Sequence, residues 1–134
     1  MRYLLDTSVY SQPLKRKPVP GVVDHWRAVG DLACCVSVFC EMEVLQGLRL
    51  AGSKRLTTLY QTVLSGRLPV LDFTPAEAAR YAELQAHFAG NGRTPPVVGL
   101  CIAATALQHG CVVATLNGRD FDGIPGLRVE DWSG

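Results

Sequence analysis

Short apolar runs recur along the chain, and segments with helical spacing separate them. Five runs predict strands, most of them without the alternation of a half-exposed strand: Tyr3–Leu5, Leu32–Ser37, Leu68–Leu71, Cys111–Thr115 and Leu127–Val129. Continuous apolar strands are typical of a parallel sheet that is covered on both faces. The alternation of strands and helices therefore predicts an α/β protein, a three-layer α/β/α sandwich with a central parallel β-sheet.

Three helices carry clear start and stop signals. They are predicted from a Ser53 cap to a stop at Gly66, from the capping box Thr74-Pro75-Ala76-Glu77 to about Phe88, and from Leu100 to about Gln108 before Gly110. A further segment, "GVVDHWRAVG", has helical spacing of its apolar residues, which suits either core packing or the wall of a binding groove; these residues are Val22, Val23, Trp26 and Val29.

Length and composition predict one domain, residues 1–134, with a sizeable core. The 48% hydrophobic and 19% charged content excludes a disordered chain. A net charge of +1, from 13 basic and 12 acidic residues, excludes a strongly basic protein that coats nucleic acid. Any contact with RNA must therefore come from a local basic patch.

The five cysteines lie in apolar runs, are odd in number and lack CxxC spacing. This predicts buried free thiols in a reducing compartment. The start of the chain reaches an acid too soon for a secretory signal, and no apolar run approaches the roughly 20 residues of a membrane span. We therefore expect a soluble cytoplasmic protein that does not bind membranes.

Acidic residues follow three of the predicted strands at their carboxyl ends, where open parallel sheets bind ligands. Asp6 follows the first strand, a helix with Glu41 and Glu43 follows the second, and Asp120 follows the fourth. A lone Asp after a strand is usually a turn or helix cap. Three acids that converge on one edge repel each other, however, and need a compensating cation.

Only one of the two glutamates can face such a pocket. Glu41 and Glu43 are two residues apart, which places them about 200° apart around a helix. Gly47 lies one turn after Glu43 on the same face and would allow a close approach of backbone or substrate. We assign Glu43 to the pocket and Glu41 to the solvated surface.

Four segments of the chain carry a resemblance to a known family. "MRYLLDTSVY", "SVFCEMEVLQGL", "PPVVGLCIAATALQHGCVVATLNGRDF" and "GIPGLRVEDWSG" resemble, in order, the blocks of PIN-domain ribonucleases, and specifically of VapC-type toxins of bacterial toxin–antitoxin pairs. The resemblance implies catalytic acids that hold Mg²⁺ or Mn²⁺, namely Asp6, Glu43 and Asp120. It also implies side chains that orient water or phosphate, namely Thr7, Ser8, Thr115 and Asn117.

The chain departs from the family's pattern at two positions. Cys40 stands where many relatives carry Thr. More seriously, the family's third acid lies three residues before the isoleucine of the Ile-Ala-Ala-Thr-Ala helix, and counting back from Ile102 gives Gly99. This glycine is either a substitution that silences an otherwise intact enzyme or the residue of a naturally degenerate member, and the intact remainder of the site favours the first.

The resemblance implies the toxin component of a type II toxin–antitoxin pair, a metal-dependent endoribonuclease that Gly99 impairs. The closing "LRVEDWS" is similar to toxins that cut initiator tRNA, and candidate RNA contacts are Lys15, Arg16, Lys17 and Arg119. The implied partners are a cognate VapB-type antitoxin, the RNA substrate and a second copy in a homodimer. The alternative is a catalytically degenerate PIN-fold module that sequesters antitoxin or RNA without cleaving it.

Overall fold

The structure, a computed structural model, describes residues 2–134 and is built on a sheet of five parallel strands. The strands are β1 (Tyr3–Leu5), β2 (Cys34–Ser37), β3 (Val70–Leu71), β4 (Val112–Thr115) and β5 (Val129–Asp131). Their order across the sheet is β3-β2-β1-β4-β5, so the first strand of the chain lies at its centre.

Helices flank the sheet and complete the predicted three-layer sandwich. They are α1 (Thr7–Tyr10), α2 (Pro20–Val29), α3 (Val38–Ala51), α4 (Lys54–Val63), α5 (Pro75–Gly90) and α6 (Val97–His109). Short 3₁₀ turns cover Gln12–Leu14, Asp31–Ala33 and Gly118–Phe121. Within residues 2–134, none of the helices combines the length and the hydropathy needed to cross a bilayer.

The three inner strands are buried along their whole length, as the unbroken apolar runs predict. Leu4 pairs with Cys35 of β2 on one side and with Val113 of β4 on the other. The edge strands β3 and β5 are short and partly exposed. All five cysteines are buried and free, as predicted.

Local capping signals set several helix ends where the sequence places them. The Ser53 hydroxyl accepts a hydrogen bond from the Leu56 N–H at the start of α4. Thr74 and Glu77 form the capping box of α5, with Pro75 in the first turn. Gly110 ends α6 in the left-handed conformation, with a φ of 65°. This is the conformation for which a residue without a Cβ is favoured.

Three strand predictions and one helix start are displaced. β3 begins at Val70 rather than Leu68, and α6 begins at Val97 rather than Leu100. β2 begins at Cys34 because the preceding residues form the 3₁₀ turn Asp31–Ala33. β5 begins at Val129 rather than Leu127, and it ends at Asp131 rather than Val129. Val129 pairs with Val113 of β4.

The direction of α6 follows from the strand that it precedes. α6 leads through Gly110 into β4, and β4 is parallel to β1. A helix that crosses back over the sheet before a parallel strand runs against the strand direction, so its first turn lies at the carboxyl edge of the sheet. Contacts between α6 and the 3₁₀ turn Gly118–Phe121, which follows β4, agree with this placement.

Candidate functional site

Asp6 lies directly after the central strand, at the carboxyl edge of the sheet. Its N–H donates to the carbonyl of Ala114 in β4 (2.9 Å), which continues the β1–β4 pairing. Its backbone carbonyl accepts from the N–H groups of Val9 and Tyr10 in α1, but its side chain caps nothing. The ordinary reason for an Asp in this position, a side-chain helix cap, is therefore absent.

Two hydroxyls hold the Asp6 carboxylate instead. Thr115 Oγ1 and Ser8 Oγ donate to Asp6 Oδ2 at 2.8 and 3.0 Å. Each hydroxyl in turn accepts a backbone N–H, Thr115 from Asn117 (2.9 Å) and Ser8 from Leu116 (3.0 Å). Because each hydroxyl has a single proton and accepts from the backbone, its proton is available for the carboxylate.

The Asp6 carboxylate therefore has one oxygen that accepts two hydrogen bonds and one open oxygen, which accepts none from the described part of the chain. Both hydroxyls reach Oδ2, and within residues 2–134 no donor is hydrogen-bonded to Oδ1 of Asp6. The residue is only 8% exposed, and the two hydrogen bonds set the orientation of its carboxylate. Ser8 and Thr115, predicted to orient water or phosphate, orient Asp6 in this structure.

Glu43 contacts Thr7, the residue that follows Asp6 in the chain. Thr7 Oγ1 donates to Glu43 Oε1 at 2.5 Å, which ties α3 to the residue that follows Asp6. Thr7 and Glu43 line a cavity of about 250 Å³ together with Gly47 and Lys15. A Cβ on Gly47 would meet no atom within 4 Å, so this wall of the cavity is open, as the close-approach argument predicts.

The assignment of Glu41 to the solvated surface is wrong. Glu41 is half-buried, and Oε2 accepts a hydrogen bond from Tyr10 Oη at 2.6 Å, while Oε1 accepts from the Tyr60 hydroxyl. Burial and the hydrogen bond to Glu41 raise the pKa of both tyrosines above the usual value of 10.0. Glu41 therefore links α1, α3 and α4, and it does not share the cavity of Glu43.

Asp120 lies at the same edge but farther along the chain that follows β4. It belongs to the 3₁₀ turn Gly118–Phe121, and its N–H donates to the carbonyl of Asn117 at 3.0 Å. Its side chain is exposed. Among residues 2–134, no three His, Cys, Asp or Glu side chains converge closely enough to hold a metal ion as a group. Asp6, Glu43 and Asp120 thus share an edge of the sheet without forming a closed three-acid cluster.

Gly99 occupies the first turn of α6, at this same edge, and supplies no carboxylate. Its φ is not positive, and a Cβ added there would meet no atom within 4 Å. Neither backbone conformation nor crowding therefore requires a glycine at position 99.

The predicted basic contacts are exposed. Lys15, Arg16 and Lys17 follow the 3₁₀ turn Gln12–Leu14, and Lys15 reaches the cavity of Glu43. Arg119 is exposed beside Asp120. Sequence reasoning did not single out Arg93, which the structure places in the loop before α6; a lone arginine in a polar loop carries no motif.

The predicted groove residues of α2 divide between two roles. Val22 and Trp26 are buried in the core, and they also form the wall of a surface cavity of about 410 Å³, with the more exposed Val23. Arg67 closes one side, with its Cζ 4.3 Å from the centre of the Trp26 ring. Val29 packs against the core and does not line this cavity.

Cys40, at the position where the resemblance implies Thr in many relatives, lies beneath the site. Its Sγ is hydrogen-bonded to the carbonyl of Leu5 at 3.4 Å, and the residue is fully buried. Burial raises the pKa of the Cys40 thiol to about 12, so the thiol stays protonated at neutral pH. The substitution preserves a buried donor without adding a reactive group.

A family model described as "PIN domain" matches residues 3–127 of the chain. The chain belongs to the PIN-domain family. This PIN domain is 31% identical to the tRNA(fMet)-specific endonuclease VapC of Salmonella typhimurium over 98% of both chains. It is 29% identical to the protein of the same name from Shigella flexneri over 99% of both chains. The resemblance to VapC-type proteins that the motifs carry is thus confirmed.

Solved structures agree with the sequence comparison. The PIN domain superposes on DNA-bound VapBC from Salmonella typhimurium with a TM-score of 0.85 and 30% identity, covering 98% of both chains. It superposes on FitAcB from Neisseria gonorrhoeae with the same TM-score of 0.85 and 26% identity, covering 97% of both chains. The predicted fold class is therefore confirmed.

Proposed function

We propose that this PIN domain is the toxin of a VapBC-type toxin–antitoxin pair and a metal-dependent endoribonuclease. The observation that carries the proposal is the Asp6 carboxylate, which two hydroxyls orient and which leaves one oxygen without a hydrogen bond from the described residues, while the next residue, Thr7, is bonded to Glu43. Relatives that match nearly the whole chain are named as tRNA(fMet)-specific endonucleases, so initiator tRNA is the proposed substrate.

The donor set fits Mg²⁺ or Mn²⁺. Mg²⁺ usually binds proteins through one or two carboxylates and keeps several waters for substrate phosphates to replace, so it does not require a closed cage of acids. The open Oδ1 of Asp6 and the carboxylate of Glu43 are hard oxygen ligands, and Asp120 would complete the site through water. Such an ion would supply an activated water and charge stabilisation at phosphorus.

The exposed basic side chains near the site would bind the RNA backbone. Lys15, in the cavity of Glu43, and its exposed neighbours Arg16 and Lys17 would contact phosphates on one side, and Arg119 on the side of Asp120. The buried free thiols fit a reducing cytoplasm, where such RNA is found.

Gly99 is proposed to impair this activity. Without a carboxylate in the first turn of α6, the site has one negative charge fewer to hold a divalent cation. Open space around the glycine would let an acid extend from that turn without rearrangement. A negative side chain in the first turn of a helix is also favoured by the helix dipole.

The test compares three proteins that differ only at position 99. Gly99→Asp should gain RNA cleavage that depends on added Mn²⁺ or Mg²⁺ and is abolished by chelation, and it should arrest growth when expressed. Gly99→Asn, which has nearly the same shape and no charge, should remain as inactive as the unmodified chain. A folded Gly99→Asp protein that leaves RNA intact with metal present would refute the proposal.

A second candidate is a non-catalytic module that sequesters antitoxin or RNA. The glycine at position 99 and the lack of a three-acid group among residues 2–134 favour it. In this case Gly99→Asp would remain inactive while still binding RNA or an antitoxin, because defects beyond position 99 would persist.

The proposed partners are a VapB-type antitoxin and a second copy of the chain. The matched structures are themselves described as VapBC and FitAcB. The cavity beside Trp26 and the cavity beside Glu43 both adjoin the segment Gln12–Lys15, so one extended antitoxin segment could occupy both. A homodimer is proposed on the family resemblance alone.

A further inference from the structure

The loop between α5 and α6 holds an arginine at the same edge of the sheet as the site. The first turn of α6 lies at the carboxyl edge, and so does the loop that enters it. Arg93, in this loop, donates its N–H to the carbonyl of Phe88 at 2.9 Å. Its Cζ lies 4.9 Å from the centre of the Phe88 ring. A cation over an aromatic face is held by electrostatic attraction, which restricts the side chain.

The guanidinium of Arg93 also adjoins the loop that carries Asp120. Its Nη1 would lie only 2.9 Å from a Cβ at Gly123, just after the 3₁₀ turn Gly118–Phe121. Gly123 has a φ of 75° and no side chain, which leaves room for the guanidinium. Arg93 therefore lies between the end of α5 and the segment that follows β4.

This guanidinium has no carboxylate partner among residues 2–134. Arg67, by contrast, is paired with Asp31 at 3.0 Å. Arg2 is a second unpaired arginine held over an aromatic ring, 5.4 Å from the centre of Tyr3, but it precedes β1 and lies at the opposite edge of the sheet. Among these three, Arg93 alone combines a held side chain, an unneutralised charge and a place at the edge of Asp6.

We propose that Arg93 binds a phosphate of the RNA substrate, an inference that rests on the proposed function. Asp6 follows the central strand, Lys15 lies toward α3, which follows β2, and Arg93 lies beside the segment that follows β4. Positive charges thus flank Asp6 on both sides. An RNA strand that crosses the edge of the sheet would have its backbone held on each side of the scissile bond. A chain with a net charge of only +1 binds RNA through such a local arrangement.

The test measures RNA binding without cleavage. The unmodified protein is titrated into a fluorescein-labelled anticodon stem-loop of initiator tRNA, with EDTA present, and the Kd is followed by anisotropy at several salt concentrations. Arg93→Gln should raise the Kd about threefold to tenfold at low salt. It should also reduce the slope of log Kd against log salt by about 0.7 to 1, the loss of one phosphate contact.

Two further variants separate binding from folding. Arg2→Gln removes an unpaired arginine from the opposite edge and should leave both the Kd and the salt slope unchanged. Arg93→Lys keeps the charge and should retain most of the slope. If Arg93 only supports the loop against Phe88, both Arg93 variants would lower the thermal midpoint and leave the salt slope unchanged, and this result would overturn the inference.

The inference and the function on which it rests fail in different ways. If the unmodified protein binds the stem-loop and Arg93→Gln binds it with the same Kd and salt slope, only the role of Arg93 is overturned. No detectable binding of the stem-loop by the unmodified protein would count against both.

Discussion

Replacing Glu41 tests whether this carboxylate holds the helices together. Glu41→Ala removes the acceptor of two tyrosine hydroxyls, and one of them, on Tyr10, belongs to a residue that is only 1% exposed. A hydrogen bond to a charged group contributes about 1.5–3 kcal/mol when buried. Because Glu41 is half-buried, we take about 1–1.5 kcal/mol for each bond, at or just below the low end of that range. The free energy of unfolding should fall by about 2–3 kcal/mol.

Urea denaturation followed by circular dichroism measures this loss. At this chain length 1 kcal/mol shifts the thermal midpoint by about 4 °C, so a decrease of about 8–12 °C is expected in parallel. Glu43→Ala is the matched control, two residues away on the same helix. It removes one hydrogen bond, from the half-buried Thr7, and should cost about 1 kcal/mol or less. In the Gly99→Asp background, Glu43→Ala should instead abolish cleavage.

Comparing Glu41→Ala with Glu43→Ala shows whether Glu41 links the helices. A solvated surface glutamate changes stability by no more than about 0.5 kcal/mol when it is replaced. If the free energy of unfolding of Glu41→Ala lies within that margin of the unmodified protein, the link between α1, α3 and α4 contributes nothing to stability. If Tyr60→Phe is additive with Glu41→Ala in a double-mutant cycle, the two side chains are not coupled and the hydrogen bond is refuted.

Two further predictions concern the tyrosines and the Asp6 network. Burial and the hydrogen bond to Glu41 raise the pKa of Tyr10 and Tyr60, so the unfolded chain loses these protons at a lower pH than the folded protein. Their contribution to the free energy of unfolding is therefore fully present below pH 10. Above pH 10 it falls by up to about 1.4 kcal/mol per group per pH unit. Urea midpoints at pH 9, 10 and 11 check this, and a midpoint that does not fall contradicts it. Thr115→Val removes a donor to Asp6 and the acceptor of a backbone N–H, and should cost about 2 kcal/mol in urea denaturation. A change below about 0.5 kcal/mol would contradict it.

Local signals account for the parts of the fold that the sequence predicts best. β1 is a continuous apolar run that ends at an acid, and its bounds are those predicted. The capping box at Thr74 needs only four consecutive residues, and it forms as written. β5 is different, because its register is set by pairing with Val113, which is 16 residues earlier in the chain. Leu127 is apolar, but position in the sheet decides which residues extend, and a short edge strand carries little pattern of its own.

The candidate site shows the same division between local and distant information. The 200° argument correctly separates Glu41 from Glu43, since it uses only helix geometry. It could not show that Glu41 is bonded to tyrosines 31 and 19 residues away, because no spacing rule links such positions. The hydroxyls of Ser8 and Thr115 were predicted as site residues, yet their hydrogen bonds to Asp6 were not. Hydrogen-bond direction depends on backbone donors that only the folded β4 segment brings into place.

The central place of β1 has a consequence for synthesis of the protein on the ribosome. β1 precedes the other four strands in the chain and is the innermost one, and it requires β4, more than a hundred residues later, as a neighbour. Asp6 is likewise fixed only when Thr115 arrives, 109 residues after it. A nascent chain that stops before this residue has no oriented carboxylate. The candidate site therefore cannot assemble until the ribosome has translated the β4 segment and Thr115.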